Sequence, residues 1–139
     1  MREGLSDIIK PYFFPHFSCF QYGAGGDERW FAAHCLDYTV VTDNEQDYIY
    51  LCNMKTRFSL YNLSPCFVLP AQYSNYILHF APDYFNLIAV QVAPPDFALS
   101  FSDIISRLKP WGIIAVPVWL EGTIPFHWLK IYDGVYRKP

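Results

Sequence analysis

Charged residues are scarce in this chain, and those present form no block of one sign. Lysine and arginine number 10 among 139 residues, against 13 aspartates and glutamates, which gives a formal net charge of −3. Proteins that bind a nucleic-acid backbone usually carry a basic patch. Because no basic patch stands out here, we expect no nucleic-acid partner.

Long apolar runs are missing as well. The longest run, residues 113–120, falls short of the roughly 20 apolar residues that a membrane-spanning helix needs. The amino end, residues 1–7, lacks the apolar core of a signal peptide. We therefore expect a cytoplasmic protein without a membrane partner.

The 4 cysteines and 4 histidines show no spacing that is typical of metal ligands. No two cysteines form a Cys-x-x-Cys pair, so we expect no zinc site or other metal centre. Dispersed cysteines of this kind usually pack as small buried side chains in a reducing compartment.

Apolar residues are abundant, at 53% of the chain, and aromatic residues reach 19%. The length is that of one ordinary domain. We expect an arm or short helix over residues 1–16 and a single domain over residues 17–139. The aromatic content also favours an apolar pocket or a contact surface, through which the chain would form a homo-oligomer.

The most informative stretch is residues 17–33, where an apolar run of strand type meets three glycines and continues as a helix. Glycine lacks a Cβ and tolerates positive φ, so its backbone can lie flat against a bound group. Such turns occur at the carboxyl edge of parallel sheets, with the amino end of the next helix facing the ligand. Asp27 is the expected N-cap of that helix. A tight turn without a ligand is the alternative interpretation.

Strand and helix patterns alternate along the rest of the chain. Strands are predicted at residues 17–22, 38–42, 66–69 (or, for this third strand, 58–61), 85–92 and 113–118. Helices are predicted at residues 27–36, 45–54, 73–80 and 96–108. The Asp133-Gly134 pair predicts a type I′ turn between strands at residues 127–132 and 135–138. The pattern indicates an α/β fold with a mostly parallel twisted sheet, helices on both faces and a C-terminal antiparallel β-hairpin.

Four strings occur in a fixed order at residues 20–26, 40–43, 83–90 and 105–116. Together they resemble the class I S-adenosylmethionine-dependent methyltransferases, and the resemblance extends from residue 17 onward. The nearest likeness is to a small bacterial branch connected with sugar and cell-surface polysaccharide chemistry. This resemblance implies a Rossmann-like fold and a transferase that uses S-adenosylmethionine, leaving S-adenosylhomocysteine, with a small and sugar-like acceptor.

The resemblance also implies which residues bind the cofactor. They are Gln21, Gly23, Ala24, Gly25, Asp43, Asn44, Gln72 and Gln91. The bare backbone after the first strand would approach the methionine part, and a carboxylate after the second strand would accept hydrogen bonds from both ribose hydroxyls. Asp43 is placed for the ribose, although it could equally cap the next helix, and Gln72 would lie at the adenine edge.

Two of these positions depart from the family pattern. Gln21 and Gln91 stand where the family usually has acids, and an amide lacks the charge that would face the cofactor's ammonium group. Each replacement would weaken binding by roughly 1–2 kcal/mol. No residue stands out as a general base, and His127 and Glu121 are candidates only through their place near the expected pocket.

Other functions compete with the methyltransferase interpretation. An NAD-dependent oxidoreductase would need a third glycine that the G-x-G-x-x-G pattern lacks here. A methyltransferase acting on the amino groups of nucleic-acid bases would have Asp or Asn before Pro94 and Pro95, where this chain has Ala93. The remaining alternative is a catalytically inactive methyltransferase fold that serves as a binding or oligomerisation module.

Overall fold

The computed structural model of the protein describes residues 4–139. One sheet contains seven strands in the order β3-β2-β1-β4-β5-β7-β6. The strands are β1 Ser18–Tyr22, β2 Asp37–Thr42, β3 Leu63–Phe67, β4 Phe85–Val90, β5 Leu108–Ala115, β6 Leu129–Tyr132 and β7 Val135–Arg137. β1 to β5 pair in parallel, whereas β7 runs antiparallel to both β5 and β6. The predicted sheet with its C-terminal antiparallel hairpin is confirmed.

Helices cover both faces of this sheet, as predicted. They are α1 Leu5–Ile9, α2 Glu28–His34, α3 Glu45–Arg57, α4 Pro70–Tyr73 and α5 Phe101–Ile105, with 3₁₀ turns at Lys10–Tyr12, Tyr76–His79, Phe97–Ser100 and Val118–Thr123. One buried cluster includes Tyr73 and Phe101, and the opposite cluster includes Ile9, Phe31 and Leu51. Residues 1–3 of the expected arm lie outside the described residues. No helix within residues 4–139 has the length and apolar character to cross a membrane.

The central strand β1 brings the glycine turn to the middle of one sheet edge. Its neighbours are β2 and β4, with Tyr22 in register with Val41 on one side and Val90 on the other. Phe20 and Tyr22 are fully buried in one cluster and Cys19 in the other, as expected for a strand covered on both faces. Because these strands are parallel, the carboxyl ends of β1, β2, β4 and β5 share an edge.

The third strand differs from the expectation. β3 runs over Leu63–Phe67, so the preferred range 66–69 captured only its end and the alternative 58–61 was wrong. β3 is the outermost strand on its side of the sheet. Pro65 lies in its middle, in register with Val40 of β2. A proline within a strand is tolerated at an edge, where its missing N–H faces away from the neighbouring strand.

The helix and strand around residue 108 also differ from the prediction. The segment 96–108 forms a 3₁₀ turn followed by the short α5, and β5 already begins at Leu108. Phe85 pairs with Leu108, while Leu87 pairs with Ile113, so the intervening residues of β5 form a bulge. The helix α5 ends at Ile105, so the prediction that the Lys-Pro-Trp-Gly segment, residues 109–112, ends this helix is wrong: the segment lies inside β5.

The hairpin turn is not of type I′. Gly134 has a φ of +79°, whereas Asp133 is not among the residues with positive φ, and a type I′ turn needs both. The backbone N–H of Gly134 instead donates to Glu121 Oε1 at 2.6 Å. This contact ties the turn to the segment that follows β5.

Candidate functional site

A groove of about 720 Å³ opens at the carboxyl edge of the sheet. Its lining comes from α1, the glycine turn, the ends of β4 and β5, and the hairpin turn. The lining residues are Gly4, Leu5, Ile8, Gly25, Gly26, Asp27, Val90, Gln91, Ala115, Val116, Pro117, Val118, Tyr132, Asp133, Gly134 and Val135. The lining contains two aspartates and neither lysine nor arginine, so it suits a cationic or neutral ligand better than a polyanion.

The glycine turn passes very close to the end of β4. Gly23 has a φ of +79°, and its N–H donates to Val41 O at 2.8 Å. A methyl group built on Gly23 would lie 2.6 Å from Val92 Cβ, and one built on Gly25 would lie 2.7 Å from Gln91 Cδ. A bare backbone is thus required for packing at Gly23, whether or not a ligand binds, whereas at Gly25 the exposed Gln91 side chain could move aside.

A buried carboxylate lies within the glycine turn. Glu28, the first residue of α2, is fully buried. Its Oε2 accepts from the Gly26 N–H at 2.7 Å, and its Oε1 accepts from the Gly25 N–H. The same Oε1 accepts from Gln21 Nε2 at 3.1 Å. Three donors therefore surround one negative charge, as a buried carboxylate requires.

The side chain of Gln21 is buried among partners that match an amide. Its Nε2 donates to Gly23 O at 2.8 Å as well as to Glu28, and its Oε1 accepts from the Tyr38 hydroxyl. Burial raises the pKa of Tyr38, and the nearby Glu28 carboxylate raises it further. The phenol consequently remains a hydrogen-bond donor at neutral pH.

A second tyrosine links the loops that follow β3 and β4. The Tyr73 hydroxyl donates to Val92 O at 2.6 Å. Burial raises the pKa of Tyr73, with a further contribution from the Asp43 carboxylate. The Tyr73 ring packs at 5.2 Å between centroids against Tyr22, whose hydroxyl donates to Ser74 O at 2.8 Å. The end of β2 and the ends of β3 and β4 therefore converge beside the glycine turn.

Several solved structures have a fold similar to that of this chain. A Streptococcus mutans protein assigned as a methyltransferase, solved with S-adenosylhomocysteine, matches with a TM-score of 0.69 at 12% identity over 99% of this chain and 97% of its own. The precorrin-6y C5,15-methyltransferase of Geobacter metallireducens matches with a TM-score of 0.67 at 13% identity, over 85% of this chain and 64% of its own. An rRNA methylase of Streptococcus thermophilus matches with a TM-score of 0.62 at 14% identity, over 78% of this chain and 64% of its own.

The chain has the class I methyltransferase fold. The fold that the four strings implied is thereby confirmed. The chain spans 64% of the length of the two longer proteins just named and between 42% and 52% of several others. No protein-family model and no curated protein sequence matches the chain.

The predicted cofactor-binding residues form two groups, one at the groove and the glycine turn and one outside the groove lining. Gly25 and Gln91 line the groove, Gly23 lies buried next to it, Ala24 is half-buried and Gln21 lies beneath the turn. The second group, Asp43, Asn44 and Gln72, is exposed and lies outside the groove lining.

Within the second group, only Asp43 makes no hydrogen bond among the described residues. Asn44 caps α3, because its Oδ1 accepts from the Asp47 N–H at 3.0 Å. The alternative interpretation of Asp43 as this cap is therefore wrong. Gln72 Oε1 accepts from the Leu69 N–H at 3.4 Å at the start of α4.

Neither of the two candidate bases, Glu121 and His127, lines the groove. Glu121 Oε1 accepts from the Gly134 N–H and, at 3.1 Å, from the Tyr136 hydroxyl, so this carboxylate supports the hairpin. His127 is exposed, and its ring packs against the fully exposed Phe126. Sequence reasoning missed Glu28, Tyr38 and Tyr73, although an acid directly after the glycines was a usable signal.

The prediction that Asp27 caps α2 was wrong. Asp27 makes no capping hydrogen bond to α2, and its Oδ2 accepts instead from the Ser6 N–H at 3.0 Å. Ser6 belongs to the first turn of α1, so Asp27 satisfies a donor of α1 and holds that helix against the groove. This hydrogen bond adds to the apolar packing of Leu5, Ile8 and Ile9 that holds α1 on the core.

We expect Asp27→Ala to loosen α1. The change removes a hydrogen bond to a charged, half-buried acceptor, which should cost about 1 kcal/mol. The amide of Ser6 should then exchange with solvent several-fold faster in a hydrogen-exchange experiment, while amides of β1 stay protected. Asp96→Ala, which removes an exposed aspartate that forms no capping bond, should leave the Ser6 amide unaffected. Unchanged exchange at Ser6 in Asp27→Ala would show that α1 is held by its apolar contacts alone.

Proposed function

We propose that the chain binds S-adenosylmethionine and transfers its methyl group to a small acceptor, which the sequence resemblance would make sugar-like. The observation that carries this proposal is the groove at the carboxyl edge, beside a glycine turn, in a fold shared with the Streptococcus mutans protein that was solved with S-adenosylhomocysteine. In open α/β sheets, ligands bind outside the carboxyl ends of the strands.

The charges and donors of the site fit the cofactor. The acidic lining and the Glu28 carboxylate below the turn suit its ammonium and sulfonium groups. The exposed Asp43 carboxylate follows β2, next to the end of β1, where it would accept from the two ribose hydroxyls. When bound, S-adenosylmethionine supplies an electrophilic methyl group. The chain's own residues would hold the acceptor in the groove and align it, and alignment alone can supply much of the rate for a nucleophilic acceptor.

The lining also bears on the acceptor. The groove lining includes Asp27 and Asp133 and no lysine or arginine, so it offers no cationic side chain to an anionic polymer. One of the similar structures is an rRNA methylase. For this chain, the net charge of −3 and the acidic lining favour a small molecule over RNA.

Calorimetric titration with S-adenosylhomocysteine tests the proposal. We expect micromolar binding by the unmodified chain. Asp43→Ala should weaken it by about 30- to 150-fold, because two hydrogen bonds to a carboxylate contribute roughly 2–3 kcal/mol together. Glu45→Ala is the matched control, since Glu45 is an exposed acid two residues along. No heat at millimolar ligand would refute the proposal and favour the inactive binding module, whereas equal affinity of Asp43→Ala and Glu45→Ala would refute the ribose site.

A further inference from the structure

Among the described residues, Glu28 alone has a carboxylate that accepts hydrogen bonds from the N–H groups of the glycine turn. Its burial is complete and its three donors come from Gly25, Gly26 and Gln21. The two glycines it bonds are themselves part of the groove lining. A full negative charge therefore lies directly below the wall of the groove, shielded from water.

The contacts of Gln21 explain why an amide stands there. Its Nε2 donates to Glu28 Oε1 at 3.1 Å and to Gly23 O at 2.8 Å, which are both acceptors. A carboxylate in this place would face another carboxylate and a carbonyl oxygen, without a proton to donate to either. Acids at positions 21 and 28 thus exclude each other, and the amide at 21 is the complement of the acid at 28.

The other acid at the turn is already engaged. Asp27 Oδ2 accepts from the Ser6 N–H at 3.0 Å and faces α1. Asp133, on the far side of the groove, forms an ion pair with Lys130 at 3.2 Å. Asp27 is thus engaged by α1 and Asp133 by Lys130, whereas Glu28 forms no salt bridge among the described residues.

We propose that Glu28 is the positioning residue that supplies the negative charge for the ammonium group of the cofactor, in place of the missing acid at position 21. The inference rests on the proposed binding of S-adenosylmethionine. Glu28 acts through the backbone of Gly25 and Gly26: it orients their N–H groups inward and places its charge beneath them. The departure at Gln21 then relocates the charge of the site without removing it.

The test compares two ligands that differ only in the methionine part. S-Adenosylhomocysteine carries the ammonium group, whereas 5′-methylthioadenosine keeps the adenosine and the sulfur but lacks the amino acid. Glu28→Gln should weaken the binding of S-adenosylhomocysteine about tenfold, because the Glu28 carboxylate attracts the ammonium group of this ligand. The affinity for 5′-methylthioadenosine, which has no ammonium group, should change by less than about twofold. Glu45→Gln removes an exposed acid in the same way and should leave both affinities unchanged.

Two further variants keep the test decisive if Glu28→Gln folds poorly, which circular dichroism will reveal. The swap Gln21→Glu with Glu28→Gln, and the conservative Glu28→Asp, both retain one charge below the turn. Each should keep the preference of the unmodified chain for S-adenosylhomocysteine over 5′-methylthioadenosine. A tenfold loss of this preference in the swap, or an equal weakening of both ligands in Glu28→Gln, would overturn the inference. Failure of the unmodified chain to bind S-adenosylhomocysteine would instead refute the proposed function.

Discussion

Gln21→Glu alone should destabilise the fold by about 3 kcal/mol at pH 7. The introduced carboxyl would lie in the place of Nε2, which is 3.1 Å from Glu28 Oε1 in a fully buried setting. Two carboxylates at this separation cannot both ionise, so the introduced group has a pKa well above the roughly 4.3 of a solvated glutamate. A shift of two pKa units corresponds to about 2.7 kcal/mol, and the lost hydrogen bond to Gly23 O adds to it.

The same variant has a distinctive pH dependence. Because the introduced group has a raised pKa in the folded state, it keeps a proton there at pH values where the unfolded chain has lost it. The deficit relative to the unmodified chain should therefore be largest near pH 7 and shrink towards about 1 kcal/mol near pH 4. Urea unfolding at several pH values measures this difference. Gln46→Glu, an exposed change of the same kind, should show no such trend, and a pH-independent deficit in Gln21→Glu would contradict the assigned contacts.

Gly23→Ala should cost about 3 kcal/mol or more and lower the melting temperature by about 10 °C. The first contribution is the φ of +79°, a left-handed conformation that costs an L-residue roughly 1–2 kcal/mol. The second is steric, because the new methyl group would lie 2.6 Å from Val92 Cβ and force the end of β4 away from β1.

Gly122→Ala is the matched control for this substitution. A methyl group on Gly122 meets nothing within 4 Å, and its φ is not in the left-handed range. Differential scanning calorimetry should therefore find a melting temperature for Gly122→Ala within about 2 °C of the unmodified chain. If Gly23→Ala were as stable as Gly122→Ala, the close approach of the glycine turn to Val92 would be refuted.

The sequence predicted the strands of the central sheet well because their signals are local. β-branched and aromatic runs such as 38–42 and 85–90 are largely buried on both faces and have no competing helical pattern, although the predicted strand 85–92 extends two residues beyond β4. The glycine turn was found for the same reason, since positive φ and close approach leave a visible mark in composition. The edge strand β3 was harder, because Pro65 weakens its strand pattern.

The charge at the centre of the site could not be predicted because it depends on contacts between elements. Gln21 and Tyr38 lie 17 residues apart and meet only once β1 and β2 pair in parallel. Glu28 looks like an ordinary first-turn helix acid until the turn folds back over it. Asp27 shows the opposite error: it occupies a capping position in the sequence, but α1 arrives from elsewhere and takes its carboxylate.

The proline in β3 gives the two margins of the sheet different tendencies to aggregate. A foreign strand that tried to extend the sheet at β3 would find one backbone donor missing at Pro65, in the middle of the five-residue ladder. The opposite margin, β6, contains no proline and exposes Leu129 and Tyr132. Amyloid-like growth or strand exchange between copies of this protein would therefore start at β6.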